Sequence, residues 1–225
     1  MSRPIAAFAL TLVASLSLAV GPAAAADEAE YTVVEQDGDF ELRQYAPMLA
    51  AETLITNADF DDASNIAFDP LFRYISGNNR GQKKIAMTTP VVQTADTGEK
   101  IAMTTPVIQQ AGPAGSPAGG YRVAFIMPST YTRETVPEPR DPNVRIVATP
   151  ARLVAALRFS GRLTEDLNRK KEQALRAELV QRGLTVSGEA IAAQYNAPFV
   201  PGPFRRNEVL IPVKQPVRGD TTTGE

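Results

Sequence analysis

The sequence predicts an α+β protein built from two repeated strand-helix-strand units. Three observations predict it. Strand-like alternation gives way to a helical period, and the same order then returns further along the chain. Each half enters its helix through a strand headed by proline, "YAPMLAAETLI" in the first and "ATPARLVAALRFSG" in the second. Two stretches rich in Gly and Pro, "QQAGPAGSPAGG" and "VPEPRDPN", lie between the halves and flank a strand from Tyr121 to Met127.

The elements follow in order. Residues 1–26 read as an export signal: Arg3, an apolar run from Ile5 to Val20, Gly21-Pro22, and small residues up to Ala26. The run is short of the roughly 20 residues a spanning helix needs, so cleavage before Asp27 is expected and a retained anchor is not. Tyr31 to Val34 and Phe40 to Tyr45 alternate around the turn Gln36-Asp37-Gly38-Asp39, and Met48 to Ile55 continues as a third strand. From Asp61 to Ser76 the period changes. Ala63, Ala67, Leu71 and Ile75 fall four apart, with Phe68 and Phe72 beside them, and Gly77 closes the helix. Pro70 is expected to kink it, because proline has no donor for the helical ladder.

The second half reads the same way. Val144 to Val147 and Arg152 to Phe159 are strands, and Thr164 caps a helix with Glu165 and Asp166 in its first turn. Its apolar stripe is Leu167, Ala174, Leu175 and Leu179, and Gly183 stops it. Ala190 to Tyr195 and Val209 to Val213 finish as strands. The domain therefore spans 27–214, and the polar residues 215–225 form a flexible tail.

Composition narrows the chemistry. The chain has no His and no Cys, which removes the usual zinc sets, both common nucleophile-imidazole systems and any disulfide. With a net charge of -2 and only short basic clusters, it does not read as a nucleic-acid binder, nor does it carry a stable membrane anchor. Paired acids such as Asp61-Asp62 fit a helix start better than an acid-base pair, so no enzyme activity is expected.

One motif calls for its own explanation. "KIAMTTPV" starts at Lys84 and again at Lys100. Read as strands joined by "TADTGE", the two copies make a hairpin over 84–107, with Ile85, Met87, Thr89 and Val91 on one side and their counterparts likewise in the second copy. Pro90 and Pro106 must then sit at an edge, a bulge or a strand end. Met87 and Met103 are core residues on this reading; the alternative gives them a pocket for a flat ligand.

These segments, with "LFRYISGNN", "RVAFIMPSTYT" and "YNAPFVPGPFRRNEVLIPV", resemble the SOUL haem-binding proteins over nearly all of the chain after the signal. The resemblance implies a curved, barrel-like antiparallel sheet flanked by two helices. It also implies non-catalytic binding of haem or another tetrapyrrole in an apolar cleft between the first helix and the sheet. The residues matching the family's site are Asn65, Phe68, Phe72 and Arg73 on the helix and Met87 on the next strand, with Phe204 and Arg205 in a closing loop. Phe68 and Phe72 can face a ring and Arg73 a propionate; the alternative for the two rings is ordinary helix packing. No His or Cys is present to ligate iron, which leaves Met87, Met103, Tyr74, Tyr195 or no ligand at all. A second function class is a small-molecule sensing or protein-docking module of the gyrase-inhibitor-like type, working without haem. In either case the protein is expected to act in the periplasm or outside the cell.

Overall fold

The computed structural model describes residues 28–81, 98–112, 120–197 and 199–214. The expected signal, the expected tail and the first IAMTTPV copy, with Met87, lie outside the described residues. The first half contains β1 (Tyr31–Asp37), β2 (Phe40–Tyr45), β3 (Met48–Ile55), α1 (Phe60–Ile75), β4 (Asn79–Arg80), β5 (Val107–Ala111) and β6 (Tyr121–Ile126). After a short β7 (Glu138–Pro139), the second half runs β8 (Val144–Thr149), β9 (Arg152–Phe159), α2 (Glu165–Gln181), β10 (Thr185–Val186), β11 (Ile191–Gln194) and β12 (Asn207–Lys214).

Local chemistry explains the boundaries. Gly38, at φ +57°, makes the tight turn between β1 and β2. Asp59 caps α1, its side chain accepting from the Asp62 amide at 2.8 Å, and Thr164 caps α2 by accepting from Leu167 N–H at 3.3 Å. Asp61 and Asp62 lie in the first turn of α1, where the helix dipole favours acids. α1 continues through Pro70, whose missing donor leaves the carbonyl of Ile66 unpaired within the helix; Ile66 is on the exposed side, where water can satisfy it.

Nine strands form one antiparallel path in the order β8-β3-β6-β5-β11-β12-β9-β2-β1, and β10 adds to the end of β12. The path reveals the duplication. Units β3-α1-β5-β6 and β9-α2-β11-β12 each place their last strand between the other two, and they meet where β5 pairs with β11. Their leading strands are exchanged: β2 pairs with β9 of the second unit, and β8 pairs with β3 of the first.

This exchange forces curvature. β2 and β3 stand six strand spacings apart along the path, about 29 Å in a flat sheet, yet only Ala46 and Pro47 join them. Three Cα steps reach about 11 Å at most. Pro150 and Ala151 impose the same limit between β8 and β9. The sheet must roll until its two ends approach, but β8 and β1 do not pair. The expected barrel is therefore corrected to an open, rolled sheet.

Both faces are buried for different reasons. α1 covers Ala51, Val123, Phe125 and Val144 on the outer face, and α2 covers Phe159, Val209 and Ile211. Among the described residues the inner face carries no helix and is buried by the roll itself, with Tyr45, Val154, Ile191 and Leu210 beside the small Ala50, Ala124, Ala156 and Ala193. Small side chains suit a surface crowded by curvature.

The second IAMTTPV copy corrects the hairpin reading. Among the described residues Ile101 to Pro106 form no strand beyond a single bridge from Thr105 to Glu28, and β5 begins at Val107. Burial does not alternate: Ile101, Thr104 and Pro106 are buried, whereas Ala102 and Met103 are exposed. The segment is a strap from α1 to the sheet. Its bonds are irregular, with Ile101 N–H donating to the Ile75 carbonyl and the Thr104 hydroxyl to the Ile126 carbonyl. Buried Asn79 anchors its start by bonding both the amide and the carbonyl of Glu99. Pro106, lacking a donor, immediately precedes the ladder.

Candidate functional site

The stripe Ala63, Ala67, Leu71 and Ile75 points α1 into the sheet, and this sets the direction of its neighbours. Phe68 and Phe72 come one position later, so they emerge at the margin of the contact. Their rings stack at 5.4 Å and 13°, and Phe68 meets buried Phe125 edge-on at 5.7 Å. They remain 40% and 45% exposed. This is an apolar ring surface fixed from behind and open in front among the described residues. Arg73 follows at its edge. It pairs with Asp69 at 2.9 Å, but both side chains are 65% exposed, so the pair is weakly held and the guanidinium can turn to another anion.

The remaining positions are elsewhere. Asn65 donates to the Asp61 carbonyl and borders a polar hollow of about 310 Å³ at the start of α1, which Arg205 also lines. Arg205 donates to the Val200 carbonyl at 2.6 Å. Phe204 is 77% exposed on the short turn Gly202–Phe204 and borders a separate hollow beside Phe159. The structure therefore brings together Phe68, Phe72 and Arg73, and joins Asn65 to Arg205, without making one pocket of all of them. Phe125, the ring behind Phe68, was not marked by sequence; its contact is made between α1 and the β6 strand it packs on.

The donors fit a ring better than an iron. Tyr74 is buried and gives its hydroxyl hydrogen to the Pro137 carbonyl at 2.8 Å; burial pushes its pKa well up. Tyr195 donates to Glu208 at 2.7 Å, and burial beside that carboxylate raises its pKa too. Neither is free to coordinate a metal. Met103 is exposed, and no group of acids capable of holding a metal occurs among the described residues.

A larger space opens elsewhere. Where the rolled ends approach, a cavity of about 600 Å³ lies between the corners Ala46–Leu49 and Ala148–Pro150, with Met127 and Tyr131 in its wall. Tyr131 donates to Glu99 at 2.7 Å, and burial with that bond raises its pKa to about 12. The signal for this cavity was the pair of proline corners, which only the exchanged topology turns into facing walls.

The profile of the SOUL heme-binding protein family matches residues 26–98 and 93–212. The chain belongs to the SOUL family. The SOUL chain is 36% identical to human heme-binding protein 2 and 35% identical to the mouse protein, in each case over 63 residues, which are 28% of this chain and 31% of the relative. It thus spans about a third of the length of the curated relatives it matches. Its fold is similar to the crystal structure of the EcmrR C-terminal domain, at TM-score 0.54 and 12% identity over 83% of this chain and 99% of that one. EcmrR in a cryo-EM complex with DNA gives 0.53 at 12% identity, over 79% of the SOUL chain and 57% of that chain. At such identity the likeness shows the fold alone, a large antiparallel sheet with two helices.

Proposed function

We propose that this SOUL protein binds a tetrapyrrole, haem or iron-free porphyrin, without catalysing a reaction on it. The observation that carries the reading is the Phe68-Phe72 stack, backed by Phe125 and half open to solvent. A flat macrocycle laid on it removes apolar ring surface from water, and Arg73, the next residue round the helix, stands at the edge of the stack for a propionate. Bound haem would supply iron, but the fit is to the ring: the two described tyrosines considered as ligands are engaged, and the chain has no imidazole or thiolate. The protein is further proposed to be a bacterial exported form, mature from Asp27, working in the periplasm or outside the cell. Among the described residues no helix is long and apolar enough to cross a membrane.

Absorbance titration of the protein with hemin and with protoporphyrin IX tests this directly. Affinities within about threefold of each other are expected. Hemin binding far tighter, with the preference lost on Met103→Ala, would show an iron ligand and overturn the ring-only account. The second reading, a small-molecule sensing or docking module, draws support from the cavity of about 600 Å³. It takes over if neither porphyrin binds at micromolar protein.

A further inference from the structure

The inner face of the sheet carries charge that the tetrapyrrole reading does not use. Glu208, fully buried on β12, accepts two bonds from Arg43 at 2.6 and 3.0 Å, one from Tyr195 at 2.7 Å and one from Arg206 at 3.0 Å. Arg206 also holds Glu28 at 2.9 Å. These charges are matched. Arg152 is not. It begins β9 on the same face, directly opposite Tyr45, and its Nε is buried with no hydrogen-bond partner. Burial lowers its pKa, and among the described residues the phenol of Tyr45, not a carboxylate, opposes this. A half-buried guanidinium whose Nε has lost water and gained no acid is costly unless something else supplies the anion.

Arg152 borders a small hollow whose walls Ala29 and Met48 are shared with the cavity of about 600 Å³. That volume falls within the usual range of small-molecule pockets, about 300–1,000 Å³. Its lining is largely apolar, with Met48, Leu49 and Met127. Of the acids at its rim, Glu28 is taken by Arg206 and Glu30 is exposed, while Arg133 adds a second cation at the mouth.

We propose that this chamber is a second ligand site, taking a small molecule with an apolar body and a terminal carboxylate, the body in the cavity and the carboxylate on Arg152. The site is distinct from the tetrapyrrole face, since none of Phe68, Phe72 and Arg73 lines the cavity or the hollow beside it. Calorimetric titration of the protein with dodecanoate, and with dodecyltrimethylammonium as the cationic counterpart, tests it. Dodecanoate should bind one per chain, and the cation at least tenfold more weakly. Arg152→Gln should weaken dodecanoate at least tenfold, as should Ala148→Trp, which fills the mouth from an exposed rim position; Phe72→Ala should leave it unchanged. Absence of dodecanoate binding, equal binding of the cation, or full affinity in a folded Arg152→Gln protein would overturn the proposal. If circular dichroism shows Arg152→Gln unfolded, Ala148→Trp decides: undiminished binding there would overturn it, and loss would support it.

Discussion

α1 and α2 occupy equivalent places in the two units, and each inserts a fully buried pair four residues apart, Leu71 with Ile75 and Leu175 with Leu179. Superposing those pairs sets Phe68 and Phe72 of α1 against Glu172 and Arg176 of α2. In α1 the two positions form a ring stack; in α2 they form an ion pair at 2.8 Å. One architecture thus accepts either an apolar or a charged pair at this margin. The fold does not require the rings, and their exposure in one unit is the feature on which the proposed ligand face rests.

The comparison extends to the inner face, where the largest effect is expected. Glu208 belongs to the second unit, but its partner Arg43 comes from the exchanged strand of the first. Glu208→Gln should destabilise the protein by about 3 kcal/mol or more in urea unfolding, because buried Arg43 loses its two-bonded partner and keeps only the Glu41 carboxylate at 2.7 Å. The pH dependence has a definite sign. Burial alone would raise the pKa of Glu208, but the bonds and charge of Arg43 overcome it and hold it below the ordinary value of 4.5. Its contribution is therefore complete above that value and is lost as pH falls through the lowered folded pKa. Wild type should lose stability in that acid range, and the Gln variant should show less of that loss.

Leu71→Ala and Leu175→Ala come next, each expected to cost about 2–5 kcal/mol, since both side chains are fully buried against the sheet. A small effect in either helix would break the equivalence of the units. The margin positions should then separate them. Phe72→Ala should weaken protoporphyrin binding about tenfold through lost ring contact, while Arg176→Ala leaves it unchanged, as read by fluorescence titration. Arg73→Ala is the smallest, a loss of about threefold to fivefold for hemin and protoporphyrin alike, because its side chain is largely in solvent.

Much of this was legible along the chain wherever the cause was local. The stripe of α1, the Thr164 cap, the stops at Gly77 and Gly183 and the repeated Pro-headed strands each depend on residues close in sequence. The exchanged strands do not: β2 and β8 read as ordinary strands, and nothing in their alternation names a partner in the other unit. The Arg43-Glu208 pair spans 165 positions and has no periodic signature. The same gap hid the chamber, since its walls are two corners made adjacent only by the roll. The second IAMTTPV copy misled for a different reason. Its alternation is that of a strand, but the Ile101 amide bonds the end of α1 and the Thr104 hydroxyl the Ile126 carbonyl, and no ladder forms. Of the site residues, the i, i+4 ring pair was readable, whereas the separation of Asn65 and Arg205 from it depends on how the terminal loop packs against the start of α1.

The central claim is that the ring pair of the first unit, and not the fold, holds the tetrapyrrole. Exchanging it for the pair of the second unit, Phe68→Glu with Phe72→Arg, tests that most directly by protoporphyrin IX titration alongside thermal unfolding. The account predicts at least a tenfold loss of affinity with the melting temperature within a few degrees of wild type. Undiminished affinity in the folded exchange variant would contradict it.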